Sequence, residues 1–92
     1  MTRTIRYFHD YGHPWPLWES FTEHYTLAPD DLGLSEQLVD LLEAAHAEWE
    51  RLADANLNGE TPDESALRAA DRQAFAVLRR ELADVADVRF EG

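Results

Sequence analysis

Two long stretches of helical period, separated by only a few residues, constrain this chain more than any other feature. From Glu36 to about Leu57 the apolar residues fall at Leu38, Leu42, Ala45, Trp49 and Leu52, with Val39, Leu41 and Ala53 widening the stripe. That spacing returns to one helical face at every turn and predicts an α-helix about 30 Å long. Ser35 supplies an N-cap, and Glu36 places an acid at the positive end of the helix dipole. Asn58 and Gly59 can take left-handed conformations and should end the helix. Thr61-Pro62-Asp63-Glu64 predicts a restart, with Thr61 as cap, Pro62 at the first helical position and Glu64 closing a capping box. The second helix is expected to reach about Ala83, with Leu67, Ala70, Ala74, Phe75, Leu78 and Leu82 on its apolar face. So short a connection implies an antiparallel hairpin.

The segments outside the hairpin alternate with the period of strands. In Arg3–Phe8, Ile5 and Tyr7 share one face, and Arg6 and Phe8 the other. Phe21–Leu27 alternates Phe21, Glu23, Tyr25 and Leu27 against Thr22, His24 and Thr26, which predicts a second strand paired antiparallel with the first. Val85–Glu91 alternates again and is expected to return beside the first strand. Between them, Pro29-Asp30-Asp31 suits a turn or one turn of helix ended by Gly33, with Leu32 and Leu34 as core anchors. The expected fold is α+β, a single domain over residues 1–92. A small antiparallel sheet of two or three strands is covered on one face by the helical hairpin.

Charge narrows the choice of partners. The 92 residues carry 8 Arg, no Lys and 19 Asp or Glu, a formal charge of −11. Such a surface repels nucleic-acid backbones and anionic membranes. It suits a basic protein partner, although acidity also keeps a small protein soluble. Much of the acid lies on the outer face of the first helix, at Asp40, Glu43, Glu48, Glu50 and Asp54. There is no cysteine, and hence neither a disulfide framework nor thiolate chemistry. The N-terminal residues lack the apolar run of a signal peptide, and no stretch is long enough to span a bilayer. A cytoplasmic protein is expected.

The stretch Asp10–Glu19 concentrates Tyr11, Trp15, Leu17 and Trp18 around Gly12, Pro14 and Pro16, where little regular structure is possible. Its aromatics either fold back over the sheet as a lid or form a slot for a partner or ligand. His9, Asp10, His13, Glu19, Glu23 and His24 form a cluster of possible metal ligands, though the glycine and proline remove the helix that the His9–His13 spacing would need. His46, beside Trp49, reads as a packing histidine. The sequence holds no nucleophile context, phosphate loop or nucleotide fingerprint, so a non-catalytic protein without cofactor or metal is expected.

The run Asp10-Tyr11-Gly12, then Pro14-Trp15-Pro16-Leu17-Trp18, with Pro29–Ser35 downstream, resembles small acidic proteins of high-GC Gram-positive bacteria that have no assigned role. The resemblance covers about the first half of the chain and implies no activity. Two readings of function follow from the residues. The first is an interaction module, in one form immunity- or antitoxin-like, meeting a basic protein through Asp40, Glu43, Glu48, Glu50 and Asp54, with Trp15 and Trp18 as apolar anchors. The second is a ligand or metal site in loop 9–24, built from His9, His13, Trp15, Trp18 and His24. Self-association through a sheet edge is a further possibility.

Overall fold

A computed structural model describes residues 3–91; Met1, Thr2 and Gly92 lie outside them. The elements in order are β1 (Arg3–Tyr7), β2 (Leu17–Glu19), α1 (Pro29–Leu32), α2 (Glu36–Leu57), α3 (Ser65–Glu81) and β3 (Ala86–Phe90). The α+β class and the helical hairpin hold. The core gathers Ile5 and Tyr7 of β1, Leu17 of β2, Leu27 in the segment before α1, Leu38 and Leu42 of α2, and Ala74, Val77, Leu78 and Leu82 at the sheet side of the hairpin. Ile5 and Tyr7 face inward as their alternation requires, and Leu32 and Leu34 pack against the same cluster.

The sheet differs from the expected one in two respects. Its order is β2-β1-β3, with β1 and β2 antiparallel but β1 and β3 parallel, from Arg3↔Ala86 to Tyr7↔Phe90. A parallel pair needs a long crossover, and the helical hairpin supplies it. The second strand is also not Phe21–Leu27. β2 lies earlier, and the later segment adds only the bridge Trp18↔Thr26. The chain turns between them because Phe21 adopts φ 64°. Glu19 is fixed at the end of β2 by a two-pronged ion pair, its carboxylate accepting from Arg3 Nε and Nη2 at 2.8 Å each. This contact holds the Glu19 carboxyl below the usual carboxylate range.

The helix boundaries follow local chemistry. Gly33 ends α1 at φ 64°. Ser35 Oγ caps α2 by accepting from the Leu38 N–H at 3.2 Å, and both Ser35 donors reach the Glu81 carboxylate. At the far end Gly59 is left-handed (φ 82°) while Asn58 is not. The capping box at Thr61 does not form, and α3 begins four residues later. There the Asp63 carboxylate accepts from Ser65 N at 2.9 Å and Ser65 Oγ at 2.6 Å, satisfying the first turn instead. No helix among the described residues is long and apolar enough to cross a membrane.

Candidate functional site

Three features could carry function: the outer face of α2, the aromatic loop, and a groove with a buried polar chain behind it. On α2, positions 40, 43, 50 and 54 fall on one stripe opposite Leu38, Leu42, Ala45 and Leu52. Asp40, Glu43, Glu50 and Asp54 are all exposed, and Glu48 is half-buried at the flank. Two of these acids are engaged within the helix, Glu48 with Arg51 at 2.8 Å and Glu50 with His46 at 3.0 Å. Asp40, Glu43 and Asp54 form no ion pair among the described residues.

The aromatic loop is folded onto the body of the protein. Trp18 is only 8 % exposed. Its ring stacks on Phe8 (4.7 Å) and on Tyr25 (6.0 Å), and its Nε1–H donates to the Phe8 carbonyl at 3.0 Å. Trp15 is half-buried against the core. An anchor role would therefore need Trp18 to leave contacts it already makes. The histidines of this region are dispersed. His13 Nε2 donates to the Leu27 carbonyl at 2.8 Å, His24 lies exposed, and His9 turns towards the helices. Among the described residues no three His, Asp or Glu side chains are grouped as a metal site requires. Beyond the loop, Phe21 is 95 % exposed.

His9 reaches residues far away in sequence. Asp71 Oδ1 accepts the Tyr7 hydroxyl at 2.7 Å and lies 2.7 Å from His9 Nε2. His9 Nδ1 is 3.0 Å from His46 Nδ1, and His46 Nε2 is 3.0 Å from Glu50 Oε1. A continuous polar chain thus runs from the core tyrosine to the acidic face of α2. In the contact between the two rings only one of the facing Nδ1 atoms can donate. Burial, and then the neighbouring His9, push the His46 imidazole below its ordinary value despite the opposing pull of Glu50. Burial raises the Tyr7 phenol, and the Asp71 contact raises it further.

Beside this chain a groove of about 880 Å³ opens between the C-terminal half of α2 and the N-terminal half of α3. Trp49, Leu52, Leu57, Leu67, Phe75 and Phe90 give it apolar walls, and Asp71 lies within it. Leu57 is 76 % exposed, so much of this apolar surface meets water. Local sequence spacing could not join His9 to His46 and Asp71, which lie 37 and 62 residues away. One signal was nevertheless legible. Asp71 occupies the same helical stripe as Leu67, Ala74 and Leu78, and an acid on a buried face requires partners.

Comparison with curated proteins finds no match, and neither does comparison with solved structures. A family model described as Serratia CdiI immunity protein-like matches residues 3–90, from the first residue of β1 to the last of β3. With the match running through every element of the fold, this chain belongs to the Serratia CdiI immunity protein-like family.

Proposed function

We propose that this protein is a non-catalytic immunity protein that binds a toxin protein, and that the toxin presents a basic surface to the acidic stripe of α2. Family membership supports the toxin-binding role. The observation that carries the choice of surface is the row Asp40, Glu43, Glu50 and Asp54, exposed on a chain of charge −11, with three of the four outside any ion pair among the described residues. Exposed ion pairs contribute only about 0–1 kcal/mol each, so the stripe acts chiefly by steering encounter and fixing orientation. Affinity must then come from apolar contacts elsewhere on the surface.

The test is co-expression of the tagged chain with the proteins encoded on either side of it, followed by association kinetics on any complex. A partner that binds should associate more slowly as salt rises. The triple variant Asp40→Lys, Glu43→Lys, Asp54→Lys should slow association by about tenfold or more while leaving the helix intact. Association that ignores both salt and the triple substitution would remove α2 as the interface. A neighbouring toxin that still kills cells producing this chain would remove the immunity role itself.

A further inference from the structure

The groove beside the polar chain has an occupant written into its chemistry. Asp71 is 7 % exposed, yet both of its hydrogen bonds, from Tyr7 and His9, fall on Oδ1. Its second oxygen, Oδ2, has no hydrogen-bond partner among the described residues and is not sealed from solvent, so it is free to accept from an incoming group. Asp71 lines the groove, and so do the rings of Tyr11, Trp49, Phe75 and Phe90. Tyr11 and Trp49 stand 4.9 Å apart at 60°, and Phe75 and Phe90 stand 5.3 Å apart at 69°. The site therefore offers aromatic walls together with one free carboxylate oxygen.

We propose that this groove receives an arginine side chain of the partner protein, its guanidinium held by Asp71 Oδ2 and laid against the aromatic walls. The inference rests on the reading of the chain as a binder of a basic protein, and it supplies the apolar anchor that the acidic stripe lacks. A guanidinium fits because it is planar, weakly hydrated and able to stack on a ring while donating to a carboxylate. The rim does not oppose it. Arg68 and Arg72 also line the groove, but Arg68 is paired with Glu64 at 3.2 Å and Arg72 is exposed, where water and salt screen it. Asp71 is buried, and a charge there acts through a lower dielectric than one on the rim.

The experiment is an NMR titration of the full chain with N-acetyl-arginine methylamide, against the citrulline analogue as a neutral isostere and the lysine analogue as a compact cation. The arginine probe should shift the Trp49 indole N–H and the amides of residues 67–72 at millimolar concentration. The citrulline probe should bind about tenfold more weakly or worse, as should the arginine probe on Asp71→Asn. The isostere comparison uses only the wild-type chain, so it decides the matter even if Asp71→Asn folds poorly. Equal shifts from arginine and citrulline, or no shift at Trp49, would overturn the slot. Tighter binding of the lysine probe would overturn the choice of arginine. A toxin bound equally by wild type and by a folded Asp71→Asn protein would overturn the slot and leave the immunity role standing. Selective guanidinium binding with no toxin partner would support the slot and tell against that role.

Discussion

Replacing His46 should change how the protein's stability responds to acid. The facing Nδ1 atoms of His9 and His46, 3.0 Å apart, accommodate only one proton between them. His46 in the folded protein sits below its ordinary imidazole value, with burial as the first cause and the neighbouring His9 as the second. A pH unit or more above about 6.5 the side chain is neutral whether folded or unfolded, and it contributes no pH dependence. As pH falls through that value, the unfolded chain takes up a proton that the folded chain refuses, and stability is lost. The loss continues until the folded group itself titrates. For one proton the slope reaches at most about 1.4 kcal/mol per pH unit, and from about pH 7.5 to about pH 5.5 the change is at most about 1.4 kcal/mol. With a urea dependence of about 1 kcal/mol per molar, the unfolding midpoint moves by at most about 1.4 M. His46→Gln keeps an amide within reach of His9 Nδ1 but removes the titrating ring. The assay is urea unfolding of both proteins at the two pH values, followed by circular dichroism. The variant should lack most of the acid-induced loss, whatever its stability at neutral pH. Equal losses in the two proteins would refute the shared-proton geometry.

Other substitutions probe the frame around this chain. Tyr7→Phe removes a buried hydrogen bond to a carboxylate and should cost about 1.5–3 kcal/mol, read from denaturant midpoints. A cost near zero would mean that the contact adds nothing. Phe21→Asn should raise stability by up to about 1 kcal/mol, because the ring is almost fully exposed and asparagine tolerates positive φ better. A lower melting temperature would show that the phenylalanine packs in solution. Ser35→Ala removes the α2 cap and one tie to Glu81, at a cost of about 0.5–2 kcal/mol in thermal unfolding, and an unchanged protein would dismiss the cap.

The sequence disclosed those parts of the fold whose causes are local. The apolar period from Leu38 to Leu52 marks α2, Ser35 marks its start, and the alternation of Val88 and Phe90 marks β3 beside β1. Its misreadings have equally physical origins. The alternation in Phe21–Leu27 is that of a strand, but the left-handed turn at Phe21 breaks it, and only Thr26 pairs. Thr61 has the pattern of a cap, but the nearer Asp63 carboxylate satisfies the helix first. The direction of β3 depends on the crossover, which no local pattern encodes. Of the candidate surfaces, the acidic stripe was legible because helical spacing dictates it. The polar chain was not, since its members come from β1, the following loop, α2 and α3. Only the anomaly of Asp71 on an apolar stripe announced it.

The parallel pairing of β1 with β3 has a consequence for biosynthesis. β1 leaves the ribosome before both long helices, and β3 only after them. Roughly 4–17 s separate the synthesis of Tyr7 from that of Phe90 at usual elongation rates. During that interval one edge of β1 has no strand to pair with, and Tyr7 lacks the ring of Phe90 that later stacks on it at 5.5 Å. The nascent chain can form its helices early, but it cannot close its sheet until the C-terminal strand arrives. A chain stalled or cut before Ala86 would present an open strand edge and an uncovered tyrosine, the form of this protein most exposed to aggregation and proteolysis.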